Sequence, residues 1–165
     1  MRSARGQSPM TRPSSMASIL LVSILLGTAA NLIPAHHIPW IGDWANYVKS
    51  QAATDGLQVI DLPRTRTLIA AGTHLVFDAR AIASYDAGHL PGALSFPVDD
   101  FATLYPQYAP LLDPSTLILV YCSGEECDES LLLGKQLRDH GHTNISLFPG
   151  GYSAWSASET TGGAP

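Results

Sequence analysis

Cys122 and Cys127 are the two cysteines of this 165-residue chain, and they stand five positions apart in the stretch Tyr121-Cys122-Ser123-Gly124-Glu125-Glu126-Cys127-Asp128-Glu129-Ser130. A cysteine reacts as its thiolate, so the question is what surrounds each sulfur. Cys122 follows Leu117-Ile118-Leu119-Val120-Tyr121, the strongest strand-like run in the chain, and precedes a helical pattern from Ser130 to His140. That order places it at the carboxyl end of a strand, where open parallel sheets bind ligands. It also faces a helix N-terminus, whose amides favour an anion. Ser123 and Gly124 allow the loop to curl tightly, with the N–H groups of Ser123 to Cys127 as an expected anion cradle. Cys122 is therefore the candidate nucleophile, against the competing reading of an inert buried cysteine.

Cys127 admits three readings. It is a resolving thiol that attacks a group carried on Cys122, or a structural disulfide partner, or a soft-metal ligand together with Cys122 and a carboxylate. Four intervening residues are looser than the two typical of zinc sites, so no resident metal is expected, and no motif calls for a cofactor. The first two readings require Cα atoms within about 7 Å. Four acids, Glu125, Glu126, Asp128 and Glu129, share the loop. A carboxylate about 5 Å from a thiolate costs about 3 kcal/mol at an effective dielectric near 20, against about 0.3–1 kcal/mol gained at a helix terminus. Dianionic reactants are disfavoured accordingly.

The elements that position this loop are short. Leu57–Ile60 reads as a strand, and Asp61 caps a helix with Pro63 in its first turn, ending before Gly72. Leu75–Phe77, Leu94–Phe96 and Ile145–Phe148 are further strands. Ala81–Ala87, Asp99–Leu104 and Pro106–Leu112 read as short helices, and Gly150-Gly151 turns into a last helix holding Trp155. Strands that alternate with helices, apolar on both faces, imply a small parallel α/β sandwich.

Val76-Phe77-Asp78-Ala79-Arg80 and Tyr85-Asp86-Ala87-Gly88-His89-Leu90-Pro91-Gly92-Ala93 resemble the signature of the rhodanese-domain family, as do Leu117–Cys122 and Gly150-Gly151-Tyr152-Ser153-Ala154-Trp155. The resemblance covers residues 56–158 and implies a three-layer sandwich with about five parallel strands flanked by helices. It implies sulfur transfer by a persulfide on the residue matching Cys122, from a sulfur donor to a thiol or protein acceptor. Asp78, Arg80, His89 and Trp155 match positions that support the fold. Related phosphatases and arsenate reductases clamp their oxyanion with an arginine at the position of Asp128, and a carboxylate there excludes that chemistry. A non-catalytic binding module of the same fold and a dithiol redox protein using Cys122 and Cys127 are the alternatives.

Charge divides the chain. Residues 1–33 hold Arg2, Arg5 and Arg12 and no acid, whereas the other 132 residues hold six bases and fourteen acids, a net −8. An acidic domain lacks the basic face that nucleic acid requires. Residues 1–15 form a basic segment, and residues 16–33 are uncharged and apolar, the pattern of a membrane anchor or a cleaved signal. The arginines put the N-terminus on the cytoplasmic side and the domain outside it. Residues 34–55, with Pro34, His36, His37, Pro39, Trp40 and Trp44, read as a linker, and residues 159–165 as a flexible tail.

Overall fold

Parallel strands cannot be joined by tight turns, so each neighbouring pair demands a crossover. The computed structural model describes residues 13–31, 44–125 and 127–162. They fall into two units, one within residues 1–42 and one from residue 43 onward. In the second unit β1 (Gln58–Val59), β2 (Leu75–Asp78), β3 (Leu94–Ser95), β4 (Ile118–Tyr121) and β5 (Ile145–Phe148) form a single sheet in the order β1-β5-β4-β2-β3. All four pairings are parallel. The expected α/β class with about five parallel strands is the fold observed. β4 and β5 are buried at every position, which is why their sequences lack alternation.

Among the described residues, six α-helices belong to this unit: α2 (Trp44–Thr54), α3 (Leu62–Ala71), α4 (Ile82–Asp86), α5 (Phe101–Tyr108), α6 (Glu129–Asp139) and α7 (Gly151–Gly162). Side chains alternate across the sheet. Phe77, Ile118, Val120 and Cys122 pack on one face with Ala52, Phe101, Leu133 and Leu137 from α2, α5 and α6. Val76, Leu119, Tyr121 and Phe148 pack on the other with Leu68, Tyr85 and Trp155 from α3, α4 and α7. α3 begins as its residues dictate: the Asp61 carboxylate accepts the Arg64 N–H at 3.0 Å, and Gly72 closes it at φ 61°.

The boundaries differ from the sequence reading in three places. Residues 44–54 are not linker but α2, which inserts Val48 and Ala52, both fully buried, into the domain. Trp44, Val48 and Ala52 recur every four residues with no Pro or Gly among them, so the helical period was present. α5 runs through Pro106, where two helices were expected, because a proline there removes one bond near the end of a short helix. The tail is helical to Gly162, with Thr160 Oγ1 donating to the Ser156 carbonyl at 3.1 Å. The His36–His37 pair and most of the basic leader lie outside the described residues.

In the first unit, α1 (Pro13–Asn31) carries Ile19, Leu20, Leu21, Val22, Ile24, Leu25 and Leu26, all exposed. No helix among the described residues is long and apolar enough to cross a membrane.

The sheet's carboxyl end is held by one buried carboxylate. Asp78 is fully buried and pairs with Arg80, whose Nη2 lies 2.6 Å and Nε 2.9 Å from its two oxygens. Register sets Asp78 beside Tyr121, whose hydroxyl donates to Oδ2 at 2.6 Å and accepts the Leu90 N–H at 3.1 Å. Arg80 also donates to the Gly88 carbonyl at 2.7 Å. Burial, then the bond to Asp78, pushes the Tyr121 phenol up, so it remains a donor throughout the physiological range. Asp78→Ala leaves a buried guanidinium unpaired, and urea denaturation should register a loss of about 3–5 kcal/mol.

Candidate active site

Cys122 follows Tyr121 directly, so the Asp78–Tyr121 bond fixes where the reactive loop begins. The other support comes from α7. The Tyr152 N–H donates to the Cys122 carbonyl and the Ser153 N–H to the Ser123 carbonyl, each at 2.9 Å. Gly151 makes this approach possible, since at φ 58° a Cβ there would collide with the Cys122 carbonyl oxygen and the Gly124 nitrogen. Gly150-Gly151 is thus the seat of the cysteine loop as well as a turn. Arg80 lies over the Tyr152 ring at 4.6 Å, tying α7 back to the end of β2.

Cys122 and Cys127 form a disulfide with a Cα–Cα distance of 6.4 Å. The readings left open by spacing are settled to this extent: the sulfurs reach each other. Cys122 is fully buried, while Cys127 is half-buried and lines a cavity of about 530 Å³ with Ser123, Gly124, Glu125, Asp128, Glu129 and Ser153. The Cys127 and Gly124 carbonyl oxygens lie 3.4 and 3.9 Å from Cys122 Sγ. The expected cradle of loop amides is therefore incomplete in this state, because the Cys127 N–H is taken by the Gly124 carbonyl at 3.0 Å.

The acids separate by role. Asp128 is the N-cap residue of α6, its carbonyl accepting the Leu132 N–H at 2.9 Å. Glu125 is exposed on the cavity rim, and Glu126 lies outside the described residues. Glu129 was counted in the sequence only as one more charge, yet its carboxylate lies directly against Cys127 Sγ. Among the described residues, Cys122, Cys127 and Glu129 are the group whose ligand atoms fall within 4.8 Å of one another, a spacing a soft cation would accept once the disulfide is reduced.

His89 stacks on the Tyr85 ring at 4.0 Å, and its Nδ1 meets the Tyr85 carbonyl at 3.0 Å, away from the sulfurs' lining groups. A second cavity, of about 570 Å³, adjoins the loop through Glu125 and is lined also by Lys49, Asp61, Arg64, Phe148 and Gly150. Lys49 comes from α2, so its place beside the site was hidden when residues 34–55 were read as linker.

Burial first, and then the charges of Asp128, Asp99 and Asp78, push the Glu129 carboxyl above its ordinary value of 4.5. Between that value and the raised one, the folded chain retains a proton that the unfolded chain has lost. Stability therefore falls as pH rises through this window. Glu129→Gln should lack that fall, read as urea midpoints compared between about pH 4 and 7 with the disulfide intact; parallel curves for the two proteins would contradict it.

Residues 63–158 match the Rhodanese-like domain family. Human thiosulfate:glutathione sulfurtransferase is 28% identical over 116 residues, covering 64% of this chain and 98% of the relative. A human single-domain sulfurtransferase structure superposes with a TM-score of 0.53 at 24% identity, over 60% of this chain and 95% of that one. The thiosulfate sulfurtransferase of Pseudomonas aeruginosa superposes with a TM-score of 0.54 at 22% identity, over 70% of this chain and 22% of that one. At these identities the two structures establish the fold alone. The family match spans more than half the chain and includes β2, the Asp78–Arg80 pair, the cysteine loop and the first two turns of α7. The chain belongs to the rhodanese-like domain family.

Proposed function

We propose that the protein is a sulfurtransferase that carries sulfane sulfur as a persulfide on Cys122. The observation that carries this reading is the placement of Cys122 at the carboxyl end of β4, before the N-terminus of α6, in a loop clamped by the first amides of α7. A helix terminus and a fixed loop favour the sulfur anion that accepts and passes on a sulfane atom. The curated human relative is named for transfer between thiosulfate and glutathione. Here Glu125, Asp128 and Glu129 share the cavity with Cys127, and this negative lining opposes a dianionic donor. A persulfide or polysulfide is accordingly the preferred donor, and a thiol the acceptor.

Reduced Cys127→Ser protein treated with glutathione persulfide or polysulfide, freed of excess donor and then given cyanide, should yield thiocyanate, and the Cys122→Ser variant should yield none. Thiosulfate should serve at least about tenfold less well, the factor that about 1.4 kcal/mol of unfavourable charge produces. An absence of sulfane sulfur on Cys122 of the Cys127→Ser protein with all three donors would overturn the assignment. The Cys122–Cys127 bond favours one other reading, a dithiol redox protein without sulfur transfer. That reading predicts thiol–disulfide exchange with no thiocyanate.

The second part of the proposal is that α1 holds the protein at a membrane surface. Support comes from the apolar side chains that α1 exposes around its circumference and from the arginines that precede it. Full-length protein should sediment with membranes and resist extraction at high salt, whereas a chain starting at residue 43 should remain in the supernatant. Equal partitioning of the two chains would refute this placement.

A further inference from the structure

Persulfide transfer by Cys122 assigns nothing to Cys127, yet the loop brings the second sulfur onto the first. We infer that Cys127 discharges the Cys122 persulfide internally: it attacks the inner sulfur, the outer sulfur leaves as hydrosulfide, and the loop closes as the Cys122–Cys127 disulfide. The inference rests on the reading of Cys122 as the carrier and names what happens next at the same site.

Three observations converge on it. First, Cys127 Sγ is bonded to Cys122 Sγ, with Cα atoms 6.4 Å apart, so this fold allows Cys127 to reach the inner sulfur. Second, access is unequal. Cys122 is fully buried, while Cys127 lies on the wall of the 530 Å³ cavity, the side from which a reductant enters. Third, the Glu129 carboxylate lies against Cys127 Sγ, where it can take the thiol proton as the attack begins.

The step balances without an external oxidant. The persulfide anion on Cys122 and the Cys127 thiol give one disulfide and one hydrosulfide ion. The S–S bond to the outer sulfur breaks as the bond between the two cysteine sulfurs forms. The outer sulfur departs with the bonding pair and is reduced to sulfide, while the two cysteine sulfurs are left as a disulfide. The Cys127 proton passes by way of Glu129 to the leaving sulfur. A low-molecular-mass thiol or a dithiol protein then restores the site. Its thiolate attacks Cys127, the accessible sulfur, and Cys122 leaves as thiolate. A second thiol frees Cys127, and the two reductant sulfurs end as a disulfide. The substrate class is thus a persulfide, and the products are hydrosulfide and an oxidised thiol.

The test uses the full chain, reduced, freed of thiol and held in chelator, with one equivalent of glutathione persulfide. Wild type should release one equivalent of hydrosulfide with a first-order rate independent of protein concentration, and end two hydrogens lighter with no added sulfur. Cys127→Ser should instead hold the extra sulfur on Cys122 and release none above background. Wild type that retains the extra sulfur as long as Cys127→Ser does would overturn the inference while leaving the carrier role standing. Failure of Cys127→Ser to take up sulfur would overturn the carrier role, and the discharge with it. Glu129→Gln should slow the release by about a hundredfold near neutral pH and recover as pH rises and Cys127 ionises unaided. Release from Glu129→Gln at the wild-type rate across that range would remove Glu129 from the step.

Discussion

A buried carboxylate can exist in this fold only because every neighbour answers it. Asp78 receives the Arg80 guanidinium, the Arg80 backbone N–H and the Tyr121 hydroxyl. An unanswered charge at that depth would cost several kcal/mol, so the partners are held where they are. Through them the carboxyl ends of β2 and β4, the Gly88–Leu90 turn and the origin of the cysteine loop are set relative to one another. The Cys122 sulfur inherits its position from an ion pair on the opposite face of the sheet from its own packing.

That geometry also explains how an acidic loop can surround a cysteine without defeating it. The acids are distributed in direction as well as number. Asp128 opens α6, where a negative charge complements the helix terminus. Glu125 faces the rim of the cavity. Glu129 lies directly against Cys127 Sγ, with Cys122 Sγ also within 4.8 Å of its carboxylate. The charge density seen in the sequence therefore falls in part on the helix terminus and the cavity rim, and among the described acids of the loop Glu129 alone is set against the sulfurs.

The sheet was legible from continuous apolar runs, because β4 and β5 are buried on both faces and a parallel strand of that kind has no other pattern. The cysteine loop was legible because a strand, two small residues and a helix start fix it locally. α2 was missed although Trp44, Val48 and Ala52 carry its period, since the prolines before it set the expectation for the whole segment. Glu129 and the seating of α7 on the loop were not legible at all. The first depends on which way one side chain turns. The second depends on contact between residues about thirty positions apart, which Gly151 permits but does not announce.

The clamp from α7 reaches the loop at Cys122 and Ser123, and the Gly124 nitrogen abuts Gly151. Beyond that point the chain to Cys127 is held by the turn bond from Gly124 and by the start of α6. The loop is therefore mechanically asymmetric. Its first half is bonded to α7, and Cys127 is bonded to Gly124 at the start of α6. The two sulfurs of one disulfide are therefore anchored to different elements, the buried one to the strand end and α7, the half-buried one to the turn that opens α6.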